Sequence, residues 1–210
     1  MSSPTITAGQ SSPPTVNARE AKRLATRARL FDAAVAEIGR SGLAGADVST
    51  IASAVGVARG TFYFHFPTKE HVVVEAERAE EANIVAQLGA RRSELNDLPS
   101  MLSELVHEVL AAEQRMGPVI FRDMLGLHFS STRPVEDELS EHPLADFLID
   151  AIAKAQHVGQ VAPDADAGEL AVFFLTGLFA LLTTDTSAPG ARAALMDRYV
   201  KTIVSGMESR

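Results

Sequence analysis

The chain has 210 residues, of which 46% are hydrophobic and 22% charged, as in a folded soluble protein. It contains no cysteine, which excludes disulfides, thiolate metal sites and a cysteine nucleophile. Its formal net charge of −8 is unevenly spread, because residues 17–69 hold eight Lys or Arg against four Asp or Glu. This asymmetry indicates different partners for the two parts, although an acidic excess can also simply keep a large domain in solution.

The N-terminal residues 1–17 are rich in Ser, Thr and Pro, which predicts a flexible tail without the features of a secretory signal. The longest nearly apolar run is Leu170–Leu182. It is shorter than the roughly 18 residues that a membrane span needs. We therefore expect a buried helix in a cytoplasmic protein.

Apolar residues at helical spacing predict four helices in the first 91 residues. Asn17 and Glu20 resemble a capping box at the start of the first, Asp47 can cap the second, and Thr68 can cap the fourth. Gly56 and Pro67 end the second and third helices. In chain order, the predicted boundaries are Asn17 to Ser41–Gly42, Asp47 to Gly56, Arg59 to Phe66, and Lys69 towards Arg91.

The rest of the chain shows the same periodicity. Further helices are predicted after Pro99, from Gly117–Pro118 to about Phe129, after Pro143, after a capping box of Asp166 and Glu169, and around Met196–Met207. Ser130–His142 is polar and predicts a loop. Neither strand alternation nor a repeat of 20–50 residues is visible. The sequence therefore predicts an all-α protein of about nine helices.

The second and third predicted helices are separated only by Gly56-Val57-Ala58. A short turn with a glycine between two helices is typical of a helix-turn-helix, which presents its second helix to the DNA major groove. On a helical wheel of this second helix, Phe62 and Phe66 share the face towards the first two helices. Tyr63, Phe64 and other residues occupy the opposite arc.

The outward residues have side chains suited to DNA. The hydroxyls of Thr61 and Tyr63 and the ring nitrogens of His65 suit phosphate oxygens, and Arg59 can bind guanine through two hydrogen bonds. Gly60 lets a backbone approach closely. Lys69 can meet a phosphate beside the amides of its helix. The alternative, that all the aromatic residues are core, fits Phe62 and Phe66 but not this polar set.

The segment STIASAVGVARGTFYFHFPTKEHVV resembles the DNA-binding segment of tetracycline-repressor-type (TetR family) regulators. The shared features are Ile51-Ala52, Gly56-Val57, the run Thr61–Phe66 and Lys69-Glu70. The resemblance implies DNA contacts by Arg59, Gly60, Thr61, Tyr63, His65, Ser49 and Lys69. It also implies a flexible tail (1–17), a three-helix DNA-binding domain (18–67) and a larger helical domain for effector binding and dimerisation (68–210).

One position departs from the family pattern. Ala58 stands where many members have a Ser or Thr that can cap the recognition helix. The start of that helix, where Arg59 lies, is therefore expected to be less rigid. Arg19, Lys22 and Arg23 fit either an arm that reaches DNA or a solvated helix face.

The family resemblance further implies a repressor released from a palindromic operator by a small molecule. Apolar residues on several faces of the last two helices predict homodimerisation through them. Apolar walls mixed with a few polar groups are typical of ligand pockets. We therefore take Phe121, Met124 and His128 as candidate effector contacts. The alternative is that these residues belong to the core.

Two alternatives stay open. One is a DNA-binding protein that responds to a protein partner and has no small-molecule effector. The other is a metal-dependent helical-bundle enzyme, suggested only by Glu104 and His107 at ligand spacing. A second pair of this kind is absent from the sequence, as are nucleotide and hydrolase motifs. We therefore predict no catalytic residues, no metal and no cofactor.

Overall fold

The computed structural model describes residues 18–91, 95, 97–134, 142–184 and 189–207. Within these ranges every regular element is a helix, which confirms the predicted all-α class. The nine helices that the described residues form are α1 (Ala18–Gly45), α2 (Val48–Val55), α3 (Arg59–His65), α4 (Lys69–Ala90), α5 (Leu98–Met116), α6 (Pro118–Leu127), α7 (Pro143–His157), α8 (Ala167–Thr184) and α9 (Pro189–Met207).

The first helix is interrupted where it was predicted to end. Gly42 has non-helical backbone angles, with φ of 72° and ψ of 162°, and the chain then resumes a helical turn as far as Gly45. Glycine can adopt this kink without a Cβ penalty. The predicted capping role of Asn17 lies outside the described residues.

The turn between α2 and α3 has the predicted chemistry. Asp47 accepts hydrogen bonds from the amides of Ser49 and Thr50 at 3.1 and 3.2 Å, and so caps α2. Gly56 ends α2 in the left-handed region with φ of 74°. Ala58 precedes α3 without a side-chain cap, because its methyl group cannot accept a hydrogen bond.

The fourth helix begins at Lys69 as predicted, but Thr68 does not cap it through its side chain. The Thr68 hydroxyl instead pairs with Nδ1 of His71 at 3.0 Å. Helix α4 then packs against α1, α5, α6 and α7, so that it joins the first three helices to the larger helical bundle.

Helices α8 and α9 approach closely at Gly177. A Cβ on Gly177 would lie 2.5 Å from the hydroxyl of Tyr199, which donates a hydrogen bond to the carbonyl of Phe174 at 2.5 Å. Burial raises the pKa of Tyr199 to about 12, so the hydroxyl stays protonated as a donor. Only a glycine leaves room for this contact.

Helix α8 is buried on one side only. Phe174 and Leu178 are fully buried, whereas Val172 and Phe173 expose 58% and 63% of their surface. Cover for the exposed face was predicted to come from a second copy of the chain, and this pairing stays a prediction. Among the described residues, α8 also has the length and apolar composition of a membrane span. Its mean hydropathy is 1.7, and 33% of its residues are buried.

Replacing Gly177 with alanine is expected to lower the free energy of unfolding by about 1–3 kcal/mol, because the added methyl forces Tyr199 away from Phe174. Helix propensity alone would favour alanine by roughly 1 kcal/mol. Urea unfolding followed by circular dichroism measures the net effect.

Gly206→Ala is the matched control, since a Cβ there would meet nothing within 4 Å outside its neighbours and its own helix backbone. It should leave stability unchanged or raise it. Tyr199→Phe should recover part of the loss in the Gly177→Ala background. Equal effects of the two glycine substitutions would contradict the close contact.

Candidate functional site

Helix α3 separates its aromatic residues into two groups. Phe62 is fully buried and Phe66, directly after the helix, is 1% exposed. The ring of Phe66 packs 6.3 Å from Phe31 of α1 and 5.7 Å from Phe62. Tyr63 and Phe64 lie on the outside, with 43% and 72% of their surface exposed. The structure therefore has the buried and the exposed face of α3 that the helical wheel predicts.

Arg59 does not extend past the start of α3 in this structure. Its guanidinium donates a hydrogen bond to the Tyr63 hydroxyl at 3.2 Å and lies 5.7 Å from the centre of that ring. The two side chains therefore form one polar cluster on the outer face of the helix. Gly60 is exposed beside them, and Thr61 is half-buried.

His65 is partly buried and lies near two arginines of α1. Burial lowers the pKa of His65, and the positive charges of Arg23 and Arg27 lower it further. The ring is therefore mostly neutral at pH 7, with one nitrogen as donor and the other as acceptor.

Arg27 is a residue that the sequence analysis did not single out. Its guanidinium forms a two-point ion pair with Glu75 of α4, with one contact of 2.6 Å. It also lies 4.5 Å from the centre of the Phe66 ring. Arg27 therefore ties α1 to α4 behind the recognition helix. An arginine–glutamate pair this distant in sequence gives no local signal that could have identified it.

Ser49 is exposed on α2, on the helix that precedes the turn. Lys69, in contrast, is engaged within the chain. Its ammonium donates to the carbonyls of Leu43 and Ala46 at 2.7 and 2.8 Å, and so holds the last turn of α1. The phosphate contact for Lys69 stays a prediction, and it would require the ammonium to leave or share these carbonyls.

A second contact fixes the same end of α1. The amide of Leu43, released from helical bonding by the kink at Gly42, donates to a carboxylate oxygen of Asp123 at 2.6 Å. Asp123 belongs to α6 and Lys69 to α4. Residues 42–46 are therefore held by both helices immediately before α2 begins; we call this segment the α1 joint.

Two adjoining cavities lie in the larger bundle. Phe121 and Met124 line a small one of about 20 Å³, whereas His128 lines another of about 390 Å³ beside α8, which opens to the surface at the exposed Val172. Glu81 and Phe179 border both. The three predicted effector contacts therefore lie around neighbouring cavities and not in a single one. Two further grooves, of about 270 and 350 Å³, meet at Leu98 on another part of the bundle.

A buried charged cluster borders the larger cavity. Glu77 is buried; it contacts Nε2 of His128 and accepts a hydrogen bond from Arg133 at 2.9 Å. Burial raises the pKa of Glu77, but the hydrogen bond and charge of His128, together with Arg133, outweigh it and hold the pKa below its ordinary value of 4.5. We call these three residues the Glu77 cluster.

The acidic members of this region carried a signal that the sequence analysis missed. Glu77 and Glu81 fall at helical spacing between Val73 and Ile84, which are both buried. A carboxylate on the apolar face of a helix indicates a buried polar site.

Among the described residues, no group of three or more His, Asp or Glu side chains is arranged to hold a metal. Glu104, which the enzyme interpretation pairs with His107, instead forms an ion pair with Arg91.

Comparison with known proteins places these features in context. Residues 30–76 match the family model described as bacterial regulatory proteins, tetR family. No curated protein sequence matches the chain. Among solved structures, Thermus thermophilus FadR, a TetR-family repressor crystallised with lauroyl-CoA, has a TM-score of 0.68 at 19% identity, covering 88% of this chain and 96% of that one.

Two more structures share the fold. The fatty acid degradation regulator FadR of Bacillus halodurans has a TM-score of 0.62 at 21% identity, covering 86% of this chain and 99% of that one. The ketosteroid regulator KstR2 of Mycobacterium tuberculosis has a TM-score of 0.55 at 21% identity, covering 93% and 98%. At these identities the likeness establishes a common fold.

The chain is thus a helical protein built around a helix-turn-helix, with its recognition helix exposed and a larger bundle behind it. The predicted resemblance is confirmed: residues 30–76 match the tetR family model, and the chain shares the fold of TetR-family regulators.

Proposed function

We propose that the protein is a homodimeric repressor, located in the cytoplasm, that is released from a palindromic operator by a small-molecule effector. The observation that carries the proposal is the outer face of α3. There Arg59 and Tyr63 form one exposed polar cluster, while Phe62 fixes the helix from behind. A short helix held on one face and polar on the other suits insertion into a major groove.

Base reading is assigned to Arg59, and phosphate contacts to Thr61, Tyr63, His65 and Ser49. Arg59 donates only one of its five N–H groups to Tyr63, so it can turn towards a guanine. Lys69 is kept as a phosphate contact of lesser weight, because its ammonium already stabilises the α1 joint.

The effector is assigned to the cavity of about 390 Å³, which falls in the size range of small-molecule sites. His128 lies in its wall. Helix α6 carries Phe121 and Met124, and it also carries Asp123, which binds the α1 joint. An effector that shifts α6 or α4 would displace this joint and change the spacing of the two recognition helices. It can do so only through different affinities for the two states.

Dimerisation is assigned to α8 and α9. Val172 and Phe173 leave an apolar face of α8 uncovered in the single chain. Covering such a face with the same face of a second copy gives a two-fold dimer. The dimer would present two recognition helices to the two halves of a palindrome.

Fluorescence anisotropy on operator DNA selected from a random pool tests the proposal. We expect selective binding that weakens steeply with salt, and a loss of about 1–3 kcal/mol in Arg59→Ala together with relaxed specificity at one base position. Tyr63→Phe should weaken binding at every sequence through its lost phosphate contact.

Val158→Ala, at an exposed position of the bundle, serves as the control. Weak binding that is equal on all sequences and indifferent to Arg59 and Tyr63 would contradict the proposal. Selective binding that no small molecule releases would favour control by a protein partner.

A further inference from the structure

Phe64 is an unusual residue for the outer face of α3. It exposes 72% of its surface, the largest fraction among the large hydrophobic side chains of the described residues. Its ring contacts the neighbouring His65 edge-on, with the ring centres 5.0 Å apart. Phe64 therefore adds nothing to the core, and its apolar surface lies in water unless a partner covers it.

The position next to Phe64 on the helix surface is equally unusual. Gly60 precedes Phe64 by four residues, so the two share one face of α3. A Cβ on Gly60 would meet no described atom within 4 Å outside its chain neighbours and its own helix backbone. Glycine weakens a helix relative to alanine, yet packing within the chain does not require it here. The free space beside Phe64 is therefore available to a partner.

The chemistry of the partner follows from the ring. Phenylalanine has no hydrogen-bonding group, so it cannot bind a phosphate or pair with the polar edge of a base. The apolar feature of base edges in the major groove is the C5-methyl group of thymine. Arg59 and Tyr63, on the same short helix, supply the polar contacts beside it.

We propose that Phe64 is a specificity-determining residue that packs against a thymine methyl group in each half-site of the operator, in the space left by Gly60. The inference rests on the proposed function, because it requires α3 to lie in the major groove. It adds a base identity that Arg59 cannot read, since a guanidinium selects guanine.

Replacing thymine by deoxyuridine removes the methyl group and changes no hydrogen bond. The experiment first selects an operator with the wild-type protein, then replaces each thymine, symmetrically in both half-sites, by deoxyuridine. Anisotropy gives the Kd of each DNA for the wild type, Phe64→Ala, Phe64→Leu and Val158→Ala. We expect the wild type to lose about fourfold in affinity per methyl removed at one position of the half-site.

The decisive result is the coupling between side chain and methyl group. Phe64→Ala should bind the thymine and deoxyuridine operators equally at that position, Phe64→Leu should keep part of the difference, and Val158→Ala should keep all of it. A methyl effect that persists unchanged in Phe64→Ala, or the lack of any methyl effect, would overturn the inference and leave the proposed function standing. Failure of the wild type to select any operator would overturn both.

Discussion

Phe62→Ala is expected to lower the free energy of unfolding by about 3–5 kcal/mol, because it removes a fully buried ring and leaves a cavity. The ring lies 5.7 Å from Phe66 and edge-on to Tyr63 at 5.5 Å, so its loss also frees the helix that carries the outer residues. Against a total stability of roughly 5–15 kcal/mol this is a large fraction. Urea unfolding and operator binding, measured on the same preparation, should both be affected.

Phe64→Ala is the matched control, since it removes the same side chain two residues away from an exposed position. Its stability should stay within about 0.5 kcal/mol of the wild type. If Phe62→Ala and Phe64→Ala were equally destabilising, the assignment of one ring to the core and the other to the surface would be wrong.

The recognition helix was predictable because its information is local. A seven-residue helix has two faces, and the spacing of Phe62 and Phe66 identifies the inner one. The cap at Asp47 and the left-handed Gly56 fix the turn, and both depend on residues close in sequence. The position of Phe64 on the outer arc was also visible, although its exposure gains meaning only once the helix is seen in place.

The contacts that connect the two parts of the chain were not predictable. Lys69 lies on the expected helix, but its partners are carbonyls of the α1 joint, which exists because Gly42 bends α1 and lets it continue. Asp123 reaches the same joint from a position 80 residues away in the sequence. Periodicity describes each helix singly and contains no information on how one helix end docks against another.

The two adjoining cavities of the larger bundle show the same limit. Phe121, Met124 and His128 were grouped by their closeness in sequence, yet α6 turns them towards two neighbouring cavities. The polar wall of the larger cavity comes from helix α4 and from the segment after α6, which meet only in the folded chain. Buried carboxylates at helical spacing were a local clue, but their partners were not.

Glu77→Gln is expected to destabilise the protein by about 3 kcal/mol at pH 7. The substitution keeps the size of the side chain but removes the negative charge that His128 and Arg133 contact. Removing one partner of a buried ion pair leaves the other charge without compensation. Chemical unfolding at pH 7 measures the loss.

The pH dependence gives an independent test of the same cluster. Because the pKa of Glu77 is lowered on folding, its ionised form stabilises the native state at pH values above its ordinary 4.5. This stabilisation is lost as the pH falls below 4.5 through the lowered pKa, when the carboxyl group takes up a proton. The free energy of unfolding of the wild type should therefore fall more steeply with decreasing pH than that of Glu77→Gln. At the acidic end of that range the two free energies should converge. If the free energies of unfolding of the two proteins changed in parallel across this pH range, the contacts of Glu77 with its buried partners would not stabilise the native state.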